Sequence, residues 1–364
     1  MVGDLIPILY PATERRFENN GLGGLPHAKS CVVVQKRNTS GGYYLEMEYP
    51  VNGLHYKDLA CERIIYAAPE PGKHPQPFCI DYISRPINGI VKINAQHPSA
   101  QLQKLVTYGT YSGTDIQGMC NNYLLQARQL GQNVEFWFTT DITSSVAVTF
   151  KHPEPSSVMD VLLGKEGSVL DMVGGEYEFD GWHIILHAQR GVDSGIEVRY
   201  GVNMTDFDAE TDASDLVTAV LPYWKGTVND VETYVIGDLC VSSNAAAFAT
   251  TRAVPVDVSN RFDSDQAPTE TQVTAAGQAY ISSSDSTRLV TSIKTAFSPA
   301  VIGNRPLHLC DTVRIVHPDM GVSATATVVE TRHNVLTDKY ESVTVGGIRK
   351  TIVQTIAELI KRGG

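Results

Sequence analysis

Along the first hundred residues, apolar and polar side chains alternate with a period of two. Tyr43, Leu45, Met47 and Tyr49 fall on one face and Tyr44, Glu46 and Glu48 on the other, the pattern of an antiparallel strand with one face buried. Residues 30–37 are predicted as its hairpin partner, because Asn38-Thr39-Ser40-Gly41-Gly42 between them supplies residues that tolerate positive φ. Further strands are predicted over 63–67, 78–84 and 89–95. Strands this short, with turn signals between them, imply a small barrel or sandwich over 1–97.

After His97 the period changes. Pro98 suits a first helical turn, and Leu102, Leu105 and Val106 recur at helical spacing. A second helix is predicted over 116–128 and a third over 157–163, with strands over 134–138 and 145–150 between them. This makes 98–175 a mixed α/β domain. Strands return over 176–256, where 182–188 and 195–200 are predicted to form a second hairpin. Pro268 then opens an amphipathic helix through Val273, Ala276, Tyr280 and Ile281, followed by strands over 312–317, 323–334 and 342–345. A last helix carries Ile352, Val353, Ile356, Leu359 and Ile360 as one apolar stripe. The segment 257–364 is thus expected to form a second barrel-like domain with helices. The fold class is α+β, mainly β, and multidomain.

At 364 residues the chain exceeds what one hydrophobic core serves. A composition 42% hydrophobic and 19% charged is that of a globular protein. The 40 acidic against 29 basic residues, net −11, argue against gripping a polyphosphate backbone. Lys350, Lys361 and Arg362 flank a predicted helix end, where cations complement the dipole. Cys31, Cys61, Cys79, Cys120, Cys240 and Cys310 are scattered singly, mostly in apolar runs, which implies reduced, buried thiols. The first residues lack a charged and apolar export pattern, and no stretch approaches the roughly 20 apolar residues of a membrane span. The product is expected to be made in the cytoplasm, without membrane insertion, until it is assembled.

Several groupings invite a chemical reading. His183 and His187 have the HxxxH spacing, but on a predicted strand they stand about 13 Å apart, too far for one metal. Glu176, Glu178 and Asp180 alternate along one strand at about 7 Å, a separation within the range of inverting glycosidases. Period-two alternation opposite Tyr177 and Phe179 explains them equally as a solvated acidic face, and the same holds for Glu46 and Glu48. Asp206, Asp208, Glu210, Asp212 and Asp215 suggest an acidic loop able to hold calcium, yet Thr211 and Val217 stand where an EF-hand needs Gly and Glu. Gly21, Gly23 and Gly24 complete no nucleotide motif, and Cys79 between Phe78 and Ile80 reads as core. The Asn38 and Asn203 sequons carry little weight without an export signal. No catalytic, cofactor-binding or metal-binding residue is predicted.

Short segments spread over the whole chain carry a resemblance. They include Ile6-Pro7-Ile8-Leu9-Tyr10, Phe17-Glu18-Asn19-Asn20-Gly21-Leu22-Gly23, Leu45-Glu46-Met47-Glu48-Tyr49-Pro50, Gly174-Gly175-Glu176-Tyr177-Glu178-Phe179-Asp180, Arg190-Gly191 and Leu309-Cys310-Asp311-Thr312-Val313. Together they resemble the prophage endopeptidase tail family. The resemblance implies a phage baseplate-hub-like fold, with two tail-tube-like β-barrel domains per subunit beside the mixed α/β domain. It further implies a homotrimeric ring at the virion tail tip that joins the tail tube to the host-recognition device and lets DNA pass. Its partners would be the tube or distal tail protein, the tape measure protein and receptor-binding proteins. Cleavage of the cell wall by longer family members is attributed to domains beyond the hub region, so a peptidoglycan endopeptidase is the alternative reading. The hub of a phage-derived bacteriocin or contractile injection particle shares the same resemblance.

Overall fold

A computed structural model describes residues 6–164, 167–202, 204–212, 217–243, 245–263, 265–283, 290–297, 307–317 and 322–346. The predicted last helix, with Lys350, Lys361 and Arg362, lies outside these residues. The chain divides into two compact units, one of Met1–Phe207, Thr295–Arg314 and Thr327–Gly346, the other of Asp208–Lys294, Ile315–Ala326 and Gly347–Gly364.

The first unit begins with Ile8–Tyr10 (β1), Gly23–Gly24 (β2), Ser30–Lys36 (β3), Tyr43–Pro50 (β4), Ile64–Ala67 (β5), Gln76–Ile83 (β6) and Ile90–Gln96 (β7). The predicted β3–β4 hairpin forms, with Gln35 opposite Tyr43 and positive φ at Asn38 and Gly41 in its loop. Leu45, Met47 and Tyr49 face inward against Cys31, Val33, Phe78 and Ile93, as the alternation requires.

Next come Val106–Gly113 (β8), helix Ile116–Gln129 (α1), Trp137–Thr140 (β9), Val148–Ser157 (β10), the short helix Val169–Val173 (α2), Glu176–Asp180 (β11) and His183–His187 (β12). Helix α1 buries Ile116, Met119, Cys120, Tyr123, Leu124 and Ala127, a single 3.6-period stripe, and the Asp115 carboxylate caps it by accepting from Gly118 N–H at 2.9 Å. The helix predicted after Pro98 shrinks to the 3-10 turn Pro98–Gln103, because Val106 and Thr107 continue as strand β8. The third predicted helix is a π turn, Asp160–Gly164, since β10 runs on to Ser157.

Asp193–Arg199 (β13) does not pair with β12 as expected. Gly181, at φ 56°, makes a two-residue turn that folds β12 back on β11, while β12's other edge runs parallel to β9. Strand β13 instead pairs with Thr312–His317 (β20, numbered after the strands of the second unit).

In the second unit Ala219–Val228 (β15) is flanked by Val231–Ile236 (β16), Cys240–Val241 (β17) and Ala253–Asp257 (β18). The preceding strand, Met204–Asp212 (β14), pairs with Val290–Phe297 (β19). This corrects the acidic loop: Thr205, Phe207, Ala209 and Thr211 alternate with the acids, so the run is a strand up to Asp212, and Asp215 lies outside the described residues. The predicted helix Glu270–Ser283 (α3) starts with a reciprocal cap, Thr269 N–H donating to Gln272 Oε1 at 2.8 Å and Gln272 N–H to Thr269 Oγ1 at 3.3 Å. It packs Val273 and Ile281 on Val220, Trp224 and Cys240.

Val322–Asn334 (β21) and Lys339–Gly346 (β22) close the described chain. β21 lies antiparallel to β3, with Arg332 opposite Val34. Strands from 312–346 therefore join those of 1–97 in one eleven-stranded sheet, ordered β13-β20-β21-β3-β4-β7-β6-β5-β1-β2 with β22 on β21. Among the described residues this ladder is open at both ends.

Side-chain amides seal exposed strand edges in the first unit. Asn121 of α1 donates to Phe138 C=O at 2.8 Å and accepts from Phe138 N–H at 3.1 Å, as a neighbouring strand would. Gln132 does the same for Val106, at 2.6 and 2.8 Å, and Arg128 donates to the carbonyls of Val134 and Phe136. An unpaired buried peptide group costs about 1–3 kcal/mol. Asn121→Ala is therefore expected to lower unfolding free energy by about 1–3 kcal/mol, read as a lower urea midpoint at unchanged m-value.

Candidate functional site

Of the residues singled out for chemistry, Glu176, Glu178 and Asp180 lie on strand β11 and His183 and His187 on strand β12. In the registers Glu178–Ile185–Thr139 and Asp180–His183–Trp137, one face of the β11-β12-β9 sheet carries the acids, both histidines and an indole. The opposite face buries Tyr177, Ile184, Leu186 and Phe138 in the core.

Glu176 is not part of a solvated face. It is buried, and its Oε2 accepts from Arg190 N–H at 2.7 Å and Gly191 N–H at 3.4 Å. Arg37 Nε lies 3.0 Å from Glu176 Oε1 but is not aligned for a hydrogen bond, so this contact is coulombic. The chain at Gly191 in turn touches the Cys310 carbonyl so closely that a Cβ there would overlap it. Asp311, also buried, accepts from Val192 N–H at 2.9 Å and His308 N–H at 2.8 Å. Glu70 closes the cluster, with Oε2 2.8 Å from His308 Nδ1 and Oε1 accepting from Leu309 N–H at 3.1 Å. Burial alone would raise the Glu70 carboxyl, but the His308 hydrogen bond, Arg190 and Leu309 N–H hold it below its ordinary value. Three segments that carry the family resemblance, 174–180, 190–191 and 309–313, thus meet at one junction.

The remaining candidates are each committed to a neighbour. Glu178 Oε2 is 2.8 Å from His187 Nε2 and its Oε1 3.8 Å from Arg190. Asp180 accepts from Gln76 Nε2 at 2.7 Å, and His183 Nε2 meets Thr139 Oγ1 at 2.8 Å. The two histidines therefore serve different partners, and among the described residues no group of three or more His, Cys, Asp or Glu could hold a metal. Glu46 pairs with Arg332 at 2.8 Å and Glu48 lies 3.8 Å from Lys92, and both carboxylates stay nearly half exposed. Asn38 spends its carboxamide on Tyr177 N–H and Gly175 C=O. All six cysteines are free. Cys61 departs from the expectation of burial, because it sits exposed in the turn before β5.

Residues 192–356 match the model of the prophage endopeptidase tail family. This is the family the sequence resembles. Solved structures that share this chain's fold include three tail proteins. The prophage tail protein gp18 of Listeria monocytogenes EGD-e aligns over 99% of this chain and 100% of its own, at 17% identity and a TM-score of 0.58. The 43 kDa tail protein of prophage MuSo2 from Shewanella oneidensis aligns over 87% and 93%, at 9% identity and 0.58. The tail protein of Neisseria meningitidis MC58 aligns over 91% and 95%, at 11% identity and 0.56. No curated protein matches the sequence significantly. The chain thus has a mainly β prophage tail fold. Sequence reasoning missed Glu70, His308 and Asp311 as junction residues; Glu70 is 238 positions from His308, which left no local signal.

Removing the Glu176 carboxylate would strand Arg37 and two peptide donors. Glu176→Ala is expected to cost about 3 kcal/mol in urea unfolding, whereas Glu178→Ala, on the half-exposed pair, costs less than about 1 kcal/mol.

Behind β11, His97 is fully buried against Tyr43, and burial pushes its imidazole down to about 3. Its neutral form stabilises the fold fully above its ordinary value near 6.5, and that contribution is lost as pH falls from there toward 3. Glu70, held low, loses its contribution in the same direction. Unfolding free energy is therefore expected to fall from pH 6.5 to 4, by about 1.4 kcal/mol per pH unit from His97, read as a falling urea midpoint. His97→Asn should flatten that slope.

Proposed function

We propose that the protein is a structural, non-enzymatic hub of a phage tail tip. In this reading three copies form a ring that continues the tail tube, with two tail-tube-like barrel regions per subunit. The ring contacts the tube or distal tail protein and the tape measure protein, bears receptor-binding proteins and passes DNA. The observation that carries it is the fold likeness to prophage tail proteins over essentially the full length of both chains. Two physical features support it. A net charge of −11 suits a lumen past which DNA slides without sticking, and the acids of the candidate face are held by structural partners rather than poised for proton transfer. Among the described residues no helix is long and apolar enough to cross a membrane.

Sedimentation velocity of the purified chain over a wide concentration range is expected to show a species near three times the 39.7 kDa chain mass. A monomer at every concentration would overturn self-assembly into a ring. Clearing of purified cell wall by the pure protein in a zymogram would replace the hub reading with the endopeptidase one.

A further inference from the structure

Trp137 stands apart from the other two tryptophans. It is 49% exposed, whereas Trp182 is 8% and Trp224 0% exposed. Its indole stacks on His183 with centroids 4.8 Å apart and planes 20° from parallel. Because Trp137 lies opposite His183 and His183 opposite Asp180, an indole, an imidazole and a carboxylate form one row across three strands, about 10 Å long at the usual strand spacing. Glu135 extends this surface. The burial pattern from Val134 to Phe138 alternates, placing Glu135 outward with Trp137, and Arg15 holds its carboxylate at 2.7 Å.

An exposed indole at a sheet edge commonly anchors a protein, by strand addition or in an apolar patch. Neither fits here. The outward peptide groups of Phe138 are already taken by Asn121, and on the three strands the face that carries the indole is otherwise made of His183, Thr139, Asp180, Glu178 and His187, with half-buried Ile185 as its one apolar side chain. A flat ring with one apolar face and a hydroxyl rim matches that arrangement: the C–H face packs on the indole while hydroxyls donate to the carboxylates. We propose that the Trp137–His183–Asp180 row is a glycan-contact site for a neutral, equatorially substituted pyranose chain, stacked on the exposed face of Trp137 and hydrogen-bonded by Asp180 and Glu135. The proposal does not rest on the ring described above.

With the other two indoles buried, a change in tryptophan emission on adding a ligand that contacts the surface is assigned to Trp137. Titrating the full chain with chitotetraose and with cellotetraose into the millimolar range is expected to give a saturable emission change with at least one of them. Trp137→Ala should abolish binding, measured by calorimetry, while the variant still melts cooperatively, because half of the side chain is exposed. Trp137→Phe should retain weakened binding, and Asp180→Asn should weaken it by about threefold or more. No response to either sugar, binding that survives in Trp137→Ala, or an unaltered affinity in Asp180→Asn would each overturn the proposal.

Discussion

A carboxylate removed from water must be surrounded by donors, and the first unit is arranged around that requirement at Glu176 and Glu70. Glu176 draws its donors from 190–191 and its counter-charge from Arg37. Glu70 draws its own from 308–309. Glu70 cannot be satisfied until a segment more than 230 residues away is in place, and Glu176, whose donors lie 14 and 15 residues on, lacks its counter-charge until the end of β3 is beside it. Desolvating a pair of charges gains little net stability over an apolar pair, but leaving one unpartnered is severely destabilising. The junction therefore acts mainly to specify a single arrangement, with the close approach of Gly191 to Cys310 as its steric counterpart.

The same accounting of polar groups governs the sheet edges. Strand β9 ends the three-stranded sheet, and its unpaired peptide groups would template another strand. Helix α1 prevents this by laying Gln117, Asn121 and Arg128, residues on one helical stripe, along the backbone of 134–140. The adjoining stripe of the same helix fills the core. One helix thus supplies both the apolar burial and the edge protection of the mixed region, leaving the outer face of the sheet for side-chain contacts.

That outer face shows why acidic alternation alone says little about chemistry. Glu176, Glu178 and Asp180 share a strand and a spacing, yet one is buried against arginine, one is tied to His187 and one is exposed beside Gln76. Their environments differ because the neighbouring strands and loops differ, and environment sets whether a carboxyl serves as acid, base or structural acceptor.

The sequence by itself determined the local elements wherever one side-chain period ran uninterrupted. The β3–β4 hairpin, helix α1, helix α3 and strands β20 to β22 stand where the alternation or the helical stripe put them. Periodicity reports which face of an element is buried, and those elements bury a face. Where two tendencies competed, tertiary structure decided. The helix expected after Pro98 yielded to strand β8, the acids at 206–212 became strand β14, and β12 chose β11 and β9 over β13. The junction of Glu70, Glu176, His308 and Asp311 was illegible for a different reason. Partners more than 100 residues apart leave no spacing to read, since what joins them is the return of β20 and β21 to a sheet begun at β3, and strand pairing over that distance is settled only when the whole core is packed.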